Sequence, residues 1–380
     1  MVYKYLKLLL CAVASVSSTP LSFISYGDWG SSNYNQEMVA YNIAQYTDKY
    51  NSSFNLVLGN NFYENGVTST QDKLWQTNYE YIYTNNNPWY VTLGTHDYHG
   101  NTSAQIAYTG LDGRWNMPDY NYVINKGYLK IIMLDTQQLA PECSQLPSNT
   151  TSKLKKQYIY KWLINELRSS NQIKIVVGHS GIYSTGEYGN CNELIANLFP
   201  ILTSYKVVLY LHSHSHLFEL NNYKSLDMIG CGTASELSKY QDLRFKYSNN
   251  KYYSLNYGFC LHSLYNEKND YYILTRFVNQ NGDVLFQHKS DGLAYLKDNG
   301  PSVMGSLFKW FFLTGFLGFI LYCCYAAYLA YIYTQPHNEL FNQSYNPGYI
   351  HEYAPRYDPN VLGSKNPQQN PLLNSDKDIL

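Results

Sequence analysis

LSFISYGDWG, residues 21–30, decides the fold. Its first six residues carry no helical period, and the run stops at Gly27, directly before Asp28. The same design recurs along the chain. FNLVLG (54–59) leads into Asn60, WYVTLG (89–94) into Thr95 and His96, and IKIVVG (173–178) into His179. KVVLYLHS (206–213) leads into His214 and His216. Between these short β-like runs, residues 36–50, 71–83, 152–169 and 192–203 have apolar residues at helical spacing. Strand, helix and strand in succession predict parallel strands with helices packed outside, an α/β fold. Residues 227–229, 259–265, 271–278 and 284–288 then read as strand after strand, so a more antiparallel part is expected to close the domain. In open α/β sheets, ligands bind beyond the carboxyl ends of the strands. Five loops that each open on a small residue and then a polar one are therefore expected to converge on one site. A mixture of Asp, Tyr and His donors suits a hard or borderline metal ion.

Outward from this core, the two ends of the 380-residue chain read as targeting and anchoring segments. Residues 1–19 have Lys4 and Lys7, an apolar stretch and a small-residue close, the layout of a signal peptide. The domain then runs from 20 to 297. Residues 310–333 contain no charge, and 24 residues as a helix would span roughly 36 Å, enough for a hydrocarbon core of about 30 Å. A single-pass, type I arrangement is expected, with the domain lumenal or extracellular and the tail, 334–380, disordered in the cytosol. The tail holds an NPGY sequence at 346–349 of the endocytic type, a contact point for cytosolic or membrane proteins. Cys143, Cys191, Cys231 and Cys260 fall in the domain, and four cysteines in an oxidising compartment suggest two disulfides. Asn51, Asn101 and Asn149 begin glycosylation sequons. The net charge of −1 gives no sign of nucleic-acid binding. The 42 tyrosines read first as compositional bias.

The order GDWG, GNNFY, GTHD, GH and HSH resembles the five blocks of calcineurin-like metallophosphoesterases, and NFY resembles the purple acid phosphatases. PWYVTLGTHDYHGNTSAQIAY and RWNMP are similar to the tartrate-resistant branch of that family. The resemblance covers about residues 21–290 and implies a β-sandwich flanked by helices. It implies iron(III) held by Asp28, Tyr63 and His216, and a second iron or zinc ion held by His179 and His214. It makes His96 the residue that assists the phosphate or leaving group, with Asp97 orienting it. It also implies a Cys143–Cys191 disulfide, which leaves Cys231 and Cys260 as a second pair. A histidine taken singly is by default a surface or satisfied core residue. That default stays with His99, His262, His288, His337 and His351, while His212, just before the HSH pair, is a candidate substitute ligand.

Two positions depart from the family pattern. Asn60 stands where the family has an aspartate bridging both metals, and Thr95 where it has an asparagine ligand. Loss of a bridging carboxylate leaves two nearby cations under-neutralised, so one metal or none is expected. The chain also resembles a membrane-anchored purple acid phosphatase relative of protists that has lost its metal site and anchors the gliding motor. The expected function is a membrane-held scaffold with weak or no phosphatase activity. The alternative is a working acid phosphomonoesterase acting on phosphate monoesters.

Overall fold

The computed structural model describes residues 19–169, 171–239, 249–267, 270–290 and 318–330. The chain divides into two units, 1–302 and 303–380.

The first unit holds two seven-stranded sheets. One contains β1 (Leu21–Tyr26), β2 (Ser52–Val57), β3 (Trp89–Val91), β4 (Trp115–Asn116), β12 (Gly258–Glu267), β13 (Asp270–Asn279) and β14 (Val284–Lys289). Its order is β14-β13-β12-β1-β2-β3-β4. β1 to β4 run parallel, while β12 lies antiparallel to β1 and begins an antiparallel flank. The other contains β5 (Tyr122–Lys126), β6 (Leu129–Met133), β7 (Ile173–Val177), β8 (Leu209–His212), β9 (Phe218–Tyr223), β10 (Leu226–Cys231) and β11 (Asn250–Ser254). Its order is β11-β9-β10-β8-β7-β6-β5, with β6, β7, β8 and β10 parallel.

Strand alternation explains the layering. In IKIVV, Ile173, Ile175 and Val177 join the core shared with residues of the first sheet, such as Ile24, Leu56 and Val91. Val176 points the other way and packs with Ile159, Leu163 and Leu167 of helix 153–168 and with Leu194, Leu198 and Leu202 of helix 192–204. Successive side chains on a strand face opposite sides, so a run apolar on both faces must be covered on both. The helices are α1 (Tyr34–Tyr50), α2 (Thr102–Ala107), α3 (Thr136–Leu139), α4 (Lys153–Arg168) and α5 (Asn192–Ser204). Asn33 caps α1 by accepting from the Gln36 amide, and the left-handed Asn51 ends it. The segment expected to be helical over 71–83 forms only a short π-helix, Trp75–Glu80. Its periodic Trp75, Tyr79 and Tyr83 instead form part of an aromatic cluster with Trp29, Trp89 and Trp115.

The Cys143–Cys191 disulfide ties the turn at Pro141–Ser144 to the start of α5, with Cα atoms 5.5 Å apart. The second expected disulfide is not formed. Cys231 and Cys260 are free, buried thiols, joined to each other by a hydrogen bond, and Cys231 Sγ also donates to the Ser25 carbonyl at 3.2 Å.

In the second unit, residues 318–330 are helical. Among the described residues no helix is long and apolar enough to cross a membrane. The rest of the span expected over 310–333, the signal peptide up to residue 18, His337, His351 and the tail 334–380 lie outside the described residues.

Candidate metal centre

The five strand-end loops meet where the sequence places them, at the carboxyl ends of β1, β2, β3, β7 and β8. Much of the backbone there is strained. Asp28, Asn60, His214 and His216 all adopt left-handed φ, at 51°, 53°, 74° and 51°. Such conformations in non-glycine residues cost about 1 kcal/mol or more each, and they cluster at functional sites. Glycine lets the loops close: a Cβ on Gly94 would overlap Asn60, and one on Gly232 would overlap the Asp28 carboxylate.

Asp28 is the centre of the site and is fully buried. Its Oδ1 accepts from Asn60 Nδ2 at 2.7 Å and from the Tyr63 hydroxyl at 3.2 Å, and it lies 3.6 Å from His216 Nε2. Its Oδ2 accepts from the His214 backbone N–H at 2.9 Å. Burial alone would raise the Asp28 pKa, but the imidazoles of His216, His179 and His214 outweigh it and hold the carboxyl well below its usual range. His216 is raised in turn, because Asp28 more than reverses the effect of burial. Burial and the Asp28 charge push the Tyr63 phenol well above its ordinary value, so it stands as a neutral O–H donor.

His179 is buried, with Nδ1 2.8 Å from both the Leu58 carbonyl and Ser213 Oγ. The carbonyl can only accept, so Nδ1 carries the proton and Nε2 a lone pair, which is buried with no hydrogen-bond partner. Burial lowers this histidine to about 4. His214 sits 5.0 Å from it ring to ring, stacks on Tyr188 at 4.2 Å, and directs Nε2 to the Cys143 carbonyl at 3.1 Å. Burial, then the neighbouring His179, lowers it to about 3. These side chains open on a cavity of about 200 Å³ lined by Asn60, Thr95, His96, Tyr188, His214 and His216, among others.

Two expected roles change. Asp97 does not orient the His96 ring. It is buried and accepts from the backbone N–H groups of Asn61 and Gly94 and from Gln105 Nε2, with burial pushing it up to about 6. The His96 ring is held by the Glu64 carbonyl, 2.6 Å from Nδ1. His212 points away from the site, with Nε2 4.0 Å from the buried Glu219 carboxylate, so it substitutes for no ligand.

The donor set does not fit a two-metal group. Asn60 Oδ1 accepts from the His96 backbone N–H at 3.0 Å, so the amide must turn its N–H groups, and not its oxygen, toward Asp28 and Tyr63. Thr95 Oγ1 is taken by Gln137 Nε2 at 2.9 Å. Among the described residues no group of three or more His, Cys, Asp and Glu is placed to hold a metal ion. Asp28 Oδ1, Tyr63 Oη and His216 Nε2 do lie 3.2–3.6 Å apart, a trace of the first site. Gln137, Glu64 and Tyr188 were not foreseen. The sole signal for Gln137 was its place after the apolar run LKIIMLD, one more strand end in the series.

The two-sheet fold and the convergence of its five strand-end loops define a protein of the metallophosphoesterase fold class. The calcineurin-like phosphoesterase profile matches residues 22–218, and the chain belongs to that family. Within it, the chain is 35% identical to purple acid phosphatase 3 of Arabidopsis thaliana, over 52% of this chain and 58% of that protein. It is 33% identical to human tartrate-resistant acid phosphatase type 5, over 55% of this chain and 71% of that protein. Among solved structures it is similar to GAP50, described as the anchor in the inner membrane complex of Plasmodium. That match has a TM-score of 0.62 and 28% identity, and covers 72% of this chain and 89% of that one. The purple acid phosphatases normally carry two metal ions, which is the pattern this donor set departs from.

Proposed function

We propose that this chain is a purple-acid-phosphatase-like scaffold, held to a membrane of the secretory pathway by its C-terminal helix, with little or no phosphatase activity. The observation that carries this reading is the orientation of Asn60. Where a bridging carboxylate would attract two cations, the chain presents two N–H groups already bonded to Asp28 and Tyr63. Without a metal pair, the groups left beside the cavity are imidazoles, amides and hydroxyls, which supply no metal-activated nucleophile and no metal charge for phosphoryl transfer. Two further points support the scaffold reading. GAP50, which shares the architecture, is an anchor in its own organism. The 318–330 helix exposes Phe319, Ile320, Leu321 and Tyr322, an apolar surface suited to lipid.

The test is restoration. Native protein and the double variant Asn60→Asp, Thr95→Asn are assayed on an aryl phosphate at acidic pH with iron and zinc supplied. The native chain is expected to be nearly inactive, and the double variant to gain roughly tenfold or more. A native protein as active as its variant overturns the scaffold reading in favour of an acid phosphomonoesterase, for which the unpartnered Nε2 of His179 and the Asp28, Tyr63, His216 trio are the supporting features.

A further inference from the structure

We infer that Asn60 and Gln137 do the structural work of the missing cations, cross-linking the strand-end loops so that the fold no longer depends on metal. The inference rests on the reading of Asn60 given above and extends it from activity to stability.

In a metal-dependent site, carboxylates and imidazoles from several loops converge because a cation neutralises and ties them. Removing the cation without replacement leaves a buried carboxylate unpaired, which costs several kcal/mol. Here both carboxylate oxygens of Asp28 are met by donors from within the chain. Asn60 Nδ2 and the Tyr63 hydroxyl donate to Oδ1, and the His214 N–H donates to Oδ2. Asn60 also accepts from the His96 N–H, so one side chain ties the loops after β1, β2 and β3, and Asp28 carries the tie across to β8 in the other sheet.

Gln137, fully buried, makes a parallel set of ties around Thr95. Its Nε2 donates to Thr95 Oγ1, and its Oε1 accepts from Ser144 Oγ at 2.7 Å and Ser180 Oγ at 3.0 Å. Those bonds join the loop after β3 in one sheet to the loops after β6 and β7 in the other. Both amides offer donors on one end and an acceptor on the other, which a cation cannot do, and each uses both ends.

The arrangement makes Asn60→Asp more than a repair. A carboxylate oxygen at the position of Nδ2 would face Asp28 Oδ1 at 2.7 Å, where two buried carboxylates coexist only with a shared proton or a cation between them. Thermal unfolding of the full-length chain, followed by tryptophan fluorescence, tests this with a chelator or zinc as the only variable. The native chain is expected to have the same Tm in both. Asn60→Asp is expected to lose about 5 °C or more in chelator and to recover with zinc. Asn60→Ala is expected to lose stability in both conditions, because it removes the donors without creating a metal ligand. A native Tm that falls on chelation overturns the inference, as does an Asn60→Asp chain as stable in chelator as the native one. Should Asn60→Asp fail to fold without zinc, the native titration and Asn60→Ala still decide. Hydrolysis by a native chain whose Tm ignores chelator would sink the scaffold function and leave this inference standing.

Discussion

Asn60 and aspartate differ by one heavy atom, yet that atom decides what Asp28 and Tyr63 are bonded to. Its identity is plain in the sequence. Its orientation is not, because the His96 N–H that fixes it lies 36 residues away and meets it only in the folded chain. Tyr63 is a similar case: the NFY block is legible, but whether the phenol is a ligand or a donor depends on its neighbours. Ferric iron added to the native chain is therefore expected to produce no tyrosinate charge-transfer band in the visible spectrum. A band from native protein would show that the phenol gives up its proton to metal despite Asn60. Tyr63→Phe, which leaves the second Asn60 N–H and one Asp28 lone pair unpaired, should cost about 1–3 kcal/mol in denaturant unfolding.

At the scale of elements, runs that end on glycine were readable, and so were helices whose apolar residues face one sheet. The β5–β6 hairpin, β9 and β11 were not foreseen. FELNNY and NKYYS lack a continuous apolar run; β9 is mostly buried between β10 and β11, while the edge strand β11 stays half-exposed. His262, left at its default, is a satisfied core residue that rivets strands of the first sheet. Its Nε2 lies 2.8 Å from Ser25 Oγ on β1, its Nδ1 2.9 Å from Thr275 Oγ1 on β13, and its ring stacks on Phe23. Burial lowers its pKa to about 3, against about 6.5 in the unfolded chain. As pH falls below 6.5 the unfolded chain takes up the proton first, so this contribution is whole above 6.5 and is lost progressively down to about 3. Between pH 6 and 4 it should remove about 1.4 kcal/mol per pH unit, and His262→Gln should flatten the fall of Tm with acid over that window. An unchanged slope would mean that the ring is already protonated in the fold. The cysteines divide in the same local way. Alkylation of the unfolded, unreduced chain should label Cys231 and Cys260 but spare Cys143 and Cys191, and breaking the latter bridge should cost about 2–4 kcal/mol.

For the molecule as a whole, the family and its two-sheet architecture were legible because five blocks in order constrain far more than any one of them. Topology within each sheet was legible only as a parallel core with an antiparallel close, since strand order is set by long-range pairing. If residues 310–333 form the anchor, the chain should stay with membranes through alkaline carbonate washing, and deletion from Val303 onward should release it. Release of the intact chain by carbonate would rule out an integral anchor. The left-handed backbone at Asp28, Asn60, His214 and His216 bears on the history of such a protein. Four costly conformations persist at positions where glycine would fit with less strain. The Asp28 tie to this loop runs through the His214 backbone N–H, which glycine keeps, so selection for folding alone would be expected to let glycine drift into the two histidines. Libraries randomised at those four positions and sorted only for abundance should enrich glycine at His214 and His216 while keeping Asp28 and Asn60 together. Such a result would separate the part of an enzyme's legacy that is still in use from the part that is merely inherited.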